Sequence, residues 1–165
     1  MMEPLWPAIA ILSFVTLQRL TELPIARANT QRLLANGGHE VAPGHYPLIV
    51  AVHAGWLAAL WVQAPGQPVR IGFFLLFLLL TALRIWTLRT LASRWTTRII
   101  VVPGERLVAR GPYRFASHPN YLVVIGEIAV LPLTFGLWRT ALLFSALNGV
   151  VLAIRIHAEN RALSL

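Results

Sequence analysis

Long apolar runs alternate with short polar connections along the chain. Five of them read as membrane spans: Pro4 to Leu23, Tyr46 to Gln63, Arg70 to Leu91, Asn120 to Phe135, and Trp138 to about Arg155. A helix crossing ~30 Å of hydrocarbon needs roughly 17–25 residues, so the second and fourth runs are short. The fourth is expected to sit in a thinned region or to begin beneath the interface. The third contains FFLLFLLL and is expected to meet lipid over much of its surface. Pro24 has no amide hydrogen and is predicted to bend the chain out of the first helix into a short amphipathic piece, Ile25 to Ala35, ending at the Asn36-Gly37-Gly38 turn. In the long connection Ala92 to Ser117, TTRIIVV and ERLVARGPY flank Pro103-Gly104, which predicts a short hairpin or extended pair against the membrane face. The pattern as a whole predicts an all-α integral membrane protein of about five transmembrane helices, a single domain over 1–165. Residues 1–91 would carry three spans, 92–119 a cytoplasmic loop, and 120–165 two spans and a C-terminal polar motif.

Composition strengthens this reading. Hydrophobic residues make up 57% of the chain and charged residues 12%, which is wrong for a soluble domain. The absence of cysteine excludes disulfides, thiolate nucleophiles and zinc-thiolate sites. All 14 basic residues are arginine and all six acidic residues glutamate, giving a net charge of +8. The charges lie between the apolar runs, so topology and anionic headgroups explain them better than nucleic acid does. Arg27 and Arg32 occupy the first connection, Arg89, Arg94, Arg98, Arg106, Arg110 and Arg114 lie in or beside the third, and Arg161 is near the C-terminus. The second and fourth connections hold only Arg70 and Arg139. This asymmetry places the N-terminus outside and the C-terminus and long loop in the cytoplasm, in what would be a bacterial inner membrane. Met1-Met2-Glu3 lacks the basic region of a secretory signal, so the first run is expected to be retained.

Candidate chemistry concentrates in GPYRFASHPNYLVVIGE, Gly111 to Glu127. Pro119 suits the first turn of a helix, with His118 or Ser117 capping it. That helix would carry Glu127 about 12 Å inward, where an ionisable group is either a functional residue or a structural partner of an arginine. Arg84 either snorkels to the interface or turns inward to Glu127. His53 shares a face with Tyr46 and roughly with His45; that face borders a pocket, or the histidine is bonded within the bundle. His39, Glu40 and His45 contain no tight helical pair, so no metal is expected. No glycine-rich nucleotide fingerprint occurs. Asn148, Leu152, Arg155 and Glu159 share a face of the last helix. Arg155 and Glu159 can pair at i, i+4, as an interfacial ion pair or as a clamp for cofactor or substrate.

Through GPYR at 111–114, SHPNY at 117–121, Gly126-Glu127 and RIHAENRAL at 155–163, the C-terminal half resembles the isoprenylcysteine carboxyl methyltransferase family. Glu22, Arg27, Asn29, Gly37-Gly38-x-Glu40, GHYP at 44–47 and His53 are similar to a bacterial branch of it associated with polyketide-derived lipids. The resemblance implies about five membrane helices and an S-adenosylmethionine pocket made by the C-terminal helices and the histidine-proline loop, with a lipophilic small molecule as methyl acceptor. His118, Pro119, Tyr121 and Glu159 become cofactor-side candidates, joined by Tyr113 as an aromatic face for a sulfonium. Arg155 is the catalytic candidate, with Glu127 and His53. Ser117 stands where the family commonly has arginine, and Asn160 where it often has glutamate. The expected activity is O-methylation of a phenolic or enolic long-chain lipid, such as an alkylresorcinol or alkylpyrone, or of a prenylcysteine-like carboxylate. A phenol, with a reference pKa near ~10, must lose its proton, to His45, His53 or Glu127 or through oxyanion stabilisation by Arg155. Phospholipid N-methylation, an NADPH-dependent membrane reductase and a non-catalytic lipid-binding protein remain alternatives.

Overall fold

A computed structural model describes residues 4–105 and 108–163. Five helices follow one another: α1 (Trp6–Ala35), α2 (Tyr46–Gln63), α3 (Ile71–Leu91), α4 (Pro119–Thr134) and α5 (Trp138–Leu163). Two two-residue strands, β1 (His39–Glu40) and β2 (Ile100–Val101), and 3₁₀ turns at Pro43–His45, Ala92–Arg94 and Gly111–Arg114 lie in the connections. The protein is an all-α integral membrane protein.

Four helical stretches are long and apolar enough to cross a membrane among the described residues: Trp6–Ala35, Pro43–Gln63, Ile71–Arg94 and Trp138–Ala162. The fifth expected span, α4, has 16 residues. At 1.5 Å per residue it rises about 24 Å, short of the ~30 Å hydrocarbon layer. It is the inner helix, with ten of its 16 residues buried against α3, α5 and their neighbours.

The first helix departs from expectation. Pro24 does not bend the chain out of it; α1 runs unbroken for 30 residues. Tertiary contacts override the local cost. Ala26, Asn29 and Leu33 are buried, and Asn29 Nδ2 donates to the carbonyls of Ala92 at 3.1 Å and Trp95 at 2.9 Å. These bonds hold the segment after Pro24 against the far end of α3. The turn at Asn36-Gly37-Gly38 forms as expected: Gly37 takes φ +85°, and the Gly37 and Gly38 amides donate to Leu34 and Leu33 carbonyls. That is how glycine ends helices.

The hairpin expectation is corrected as well. Pro103-Gly104 makes a turn, with the Glu105 amide donating to the Val102 carbonyl. However, β2 pairs antiparallel with β1, His39 opposite Val101 and Glu40 opposite Ile100. No residue of the second β-branched run pairs with it among the described residues; Arg106 and Leu107 within that run lie outside them, as do Met1 to Glu3. The first and third connections are therefore stitched together. Arg98 reinforces the join, with Nη1 2.9 Å from Glu40 Oε1 and its guanidinium 4.5 Å from the centre of the Tyr46 ring.

Three layers follow one another along the bundle. At one end an apolar core contains Leu12 and Val15 of α1, Trp56 and Leu60 of α2, Phe77 of α3, and Ile128, Leu131 and Phe135 of α4. Pro132 lacks the amide that Ile128's carbonyl would receive in a regular helix. The Trp56 indole N–H donates to that carbonyl at 3.2 Å. In the middle, Gly126 lets α3 approach α4: a β-carbon there would fall 2.9 Å from the methyl groups of Leu80. Beside it lies a buried cluster of two arginines and two glutamates. Arg84 turns inward, its Nε and Nη2 gripping Glu22 at 2.8 and 2.5 Å and its Nη1 lying 3.4 Å from Glu127. Arg19 Nη2 donates to Glu127 at 2.6 Å. Glu127 is wholly buried and Arg84 is buried. The third layer, at the other helix ends, is polar.

Removing one member of a buried ion cluster leaves an uncompensated charge, at a cost of about 3–5 kcal/mol. Glu127→Ala is expected to lower unfolding free energy in detergent by that order. Arg139→Ala, at the opposite connection, should stay within about 0.5 kcal/mol of the parent. Chemical or thermal unfolding followed by circular dichroism checks both values.

Candidate active site

The polar layer encloses a cavity of about 390 Å³. It has the size of a small-molecule site. Leu33 from the end of α1, Leu91 from α3, the segment around Trp95–Val102, the Gly111–Arg114 turn, the start of α4 and the end of α5 all reach it. Pro119 begins α4 with its preset φ at the first position, so the residues just before and after it are delivered to the cavity. His118 occupies the N-cap but makes no side-chain cap. Its ring is engaged elsewhere, with Nε2 3.0 Å from Asn160 Oδ1.

Tyr121 is the centre of the arrangement. Its hydroxyl donates to Glu159 in a very short hydrogen bond, and accepts from Arg155 Nε at 2.7 Å. The same guanidinium donates through Nη1 to the Thr97 carbonyl at 2.7 Å, and lies 5.5 Å from the centre of the Tyr121 ring. His118 stacks on that ring at 5.2 Å with planes 20° apart. Of the two readings of Arg155 and Glu159, the direct i, i+4 ion pair is absent among the described residues. Tyr121 is inserted between them, because the helix turn leaves room for an aromatic ring from α4 to take both partners.

Five of the eight candidate residues converge on the cavity wall: Tyr113, His118, Tyr121, Arg155 and Glu159. Pro119 is buried beneath it and does not line it. Glu127 and His53 are in the middle layer instead. His53 Nδ1 donates to the Ile49 carbonyl at 2.9 Å, within its own helix, and the ring is within electrostatic reach of Arg19, Arg84 and Glu127. Sequence reasoning missed the Thr97 carbonyl, a backbone group that no residue pattern announces. It also missed Arg19, and used Glu22 only for its resemblance, although two charges three residues apart inside an apolar run were a usable signal. Asn160, noted as a departure from the family pattern, turns out to be the partner of His118.

Residues 72–165 match the family described as Isoprenylcysteine carboxyl methyltransferase (ICMT) family. The chain belongs to this family. It is also 39% identical over 163 residues to "Uncharacterized protein YpbQ" of Bacillus subtilis (strain 168), covering 96% of this chain and 95% of that one. A second relative, an "Uncharacterized protein" of Haemophilus influenzae (strain ATCC 51907 / DSM 11121 / KW20 / Rd), is 25% identical over 153 residues, 88% of each chain. No solved structure matches. ICMT membership points to a membrane methyltransferase, and the family generally uses S-adenosylmethionine. The matched region contains every residue of the cavity wall that α4 and α5 contribute.

Burial pushes the Tyr113 hydroxyl above its ordinary value of 10.0, and the Glu159 charge adds to the shift. For an acid raised in the folded state, the neutral form stabilises the fold fully below the unfolded pKa, and that contribution is lost as pH rises through the folded value. Tyr113 should therefore stay protonated at pH ~10, where an exposed tyrosine is half ionised. Absorbance titration at the tyrosinate band is expected to lose a late-titrating component in Tyr113→Phe; loss of an ordinary one instead would contradict the shift.

Proposed function

We propose that the protein is an S-adenosylmethionine-dependent O-methyltransferase whose acceptor is a phenolic or enolic long-chain lipid. The observation that carries this reading is the Tyr121 hydroxyl held between Arg155 and Glu159 at the wall of a cavity inside a membrane bundle. When bound, the cofactor supplies an electrophilic methyl group on a cationic sulfur. The wall suits such a group: the Glu159 carboxylate and the faces of Tyr121 and Tyr113 attract a sulfonium. Arg94 and Arg98, also on the wall and paired with Glu105 and Glu40, have the fork geometry that would take an amino-acid carboxylate in exchange. Methyl transfer is an in-line displacement, so the chain's main work is alignment and exclusion of water.

Arg155 has the second role. It is buried, and its guanidinium is fixed by Tyr121 and by the Thr97 carbonyl, with no salt bridge among the described residues. A fixed positive group of this kind stabilises an oxygen as it becomes anionic without reorganising. Enolic and phenolic oxygens need that help; a prenylcysteine-like carboxylate is already ionised at neutral pH. The resemblance of GHYP and the first connection to a bacterial branch associated with polyketide-derived lipids supports the phenolic or enolic class. The arginine asymmetry supports an N-terminus outside and a cavity on the cytoplasmic side.

Calorimetry in detergent is expected to give saturable binding of S-adenosylmethionine or its demethylated product, and none of NADPH. The reverse result would favour a reductase. Glu159→Gln should weaken cofactor binding about tenfold or more, since one charge-assisted bond contributes roughly 1.5–3 kcal/mol. Topology is open to thiol labelling without background, because the chain has no cysteine. A cysteine at Ser93 should be shielded from a periplasmic reagent in intact cells and one at Gln67 labelled; the opposite pattern would invert the orientation.

A further inference from the structure

We propose that the Tyr121 hydroxyl and the Glu159 carboxylate form a proton relay for the methyl acceptor: Tyr121 takes the proton of the lipid hydroxyl and hands its own to Glu159. The inference rests on the phenolic or enolic reading above, because an acceptor already ionised needs no base. Tyr121, Arg155 and Glu159 all line the cavity. An acceptor oxygen held by Arg155 lies beside whatever else that guanidinium bonds. Nε is used on the Tyr121 hydroxyl and Nη1 on the Thr97 carbonyl, which leaves the Nη2 hydrogens for such an oxygen. Of the two partners, the amide carbonyl has no proton to pass on. The hydroxyl can accept one and give one, and its own proton is already directed at Glu159.

Burial grades in the direction that the proton travels. Tyr121 and Arg155 are buried, whereas Glu159 is only partly so and can pass a proton on to water. Charge favours the same route. A phenol with a reference pKa of about 10 does not give its proton unaided to a carboxylate of about 4.3. Here, however, Glu159 loses its negative charge in the step in which the sulfonium loses its positive one. The net charge of the site stays the same, so no unpaired charge is left in a low-dielectric cavity. Proton transfer therefore accompanies methyl departure and does not precede it.

The other bases are placed differently. His45, His53 and Glu127 do not line the cavity. Glu105 lines it but is paired with Arg94 at 2.5 Å. His118 lines it too, with Nε2 3.0 Å from Asn160 Oδ1, and meets Tyr121 through the ring face, not at the hydroxyl that Arg155 holds. In the step itself, the acceptor O–H bond breaks and its proton goes to the Tyr121 oxygen, while the Tyr121 proton goes to Glu159. The acceptor oxygen forms the C–O bond with one of its electron pairs as the S–CH₃ bond breaks, the bonding pair staying on sulfur, which leaves as a neutral thioether. Glu159 then releases its proton to water.

Two measurements test the relay. The first needs no cofactor: binding of a long-chain alkylresorcinol and of its dimethyl ether, read by tryptophan fluorescence, with Trp95 on the cavity wall. Tyr121→Phe is expected to weaken the resorcinol about three- to tenfold and to leave the ether within about twofold. An equal change in both, or none in either, overturns the contact on which the relay depends. The second is single-turnover methyl transfer at saturating cofactor, comparing the resorcinol with an analogue made acidic by a ring nitro group and already ionised at the assay pH. Tyr121→Phe keeps the aromatic face, and Glu159→Gln still accepts the Tyr121 hydroxyl but cannot take up its proton. Each is expected to slow the resorcinol about 10²–10⁴-fold and to leave the nitro analogue within about threefold of the parent protein. Equal losses on both acceptors, or an undiminished rate on the resorcinol, overturn the relay. Should the variants fail to fold, the parent protein still decides. Two protons move together in the relay, so the resorcinol rate must fall along a curve as the deuterium content of the solvent rises, and the ionised analogue must show no such fall. A straight line, as for a single transfer to a base such as His118, overturns it. A parent protein that methylates neither phenol but does methylate a prenylcysteine analogue overturns the substrate reading, and the relay with it.

Discussion

The cluster of Arg19, Glu22, Arg84 and Glu127 is the interaction on which the bundle depends. Each of these groups would be costly alone at this depth, and together they sum to zero charge. The fork of Arg84 on Glu22 joins α3 to α1, and the two contacts of Glu127 join α4 to both. Apolar side chains gain little by leaving lipid for one another, so interhelical polar bonds and close packing decide which helices associate. The cluster also sets depth. Because Glu127 lies six residues beyond Tyr121 on α4, satisfying the one carboxylate fixes where the tyrosine hydroxyl arrives.

From that anchor the site is built by segments remote in sequence. Pro119 starts α4 at the level of the cavity, and Tyr121 takes a guanidinium and a carboxylate from α5. The Thr97 carbonyl that completes Arg155's partners belongs to the connection after α3, which β1 and the Asn29 side chain hold from the N-terminal half. The guanidinium and the connection beside it are held by backbone carbonyls as much as by side chains.

The legible features were those that depend on local chemistry. Apolar runs located all five helices, four of them long enough to cross a membrane, Pro119 gave the start of α4, and His118, Tyr121, Arg155 and Glu159 were readable as one set. The features that were not legible depend on partners far along the chain. Nothing near Pro24 says that Asn29 will bind two carbonyls beyond α3, so the helix was expected to break there. The β-branched run at 96–102 announced a strand, while its partner was decided by the meeting of two connections. The i, i+4 spacing of Arg155 and Glu159 put both on one face, but that a tyrosine from another helix would bond to both could not be read from it.

The shortness of α4 has a consequence for traffic. It falls about 6 Å short of the hydrocarbon thickness, so with its apolar end at one interface its polar end, where the cavity lies, would stop short of the other. Under the function proposed above, a water-soluble donor and a membrane-dissolved acceptor would then meet without either changing phase: one would descend by the width of an interface, and the other would keep its tail in the leaflet. The product would depart sideways, by lateral diffusion, so turnover would depend on the two-dimensional concentration of the lipid in the membrane and not on its vanishing solubility in water.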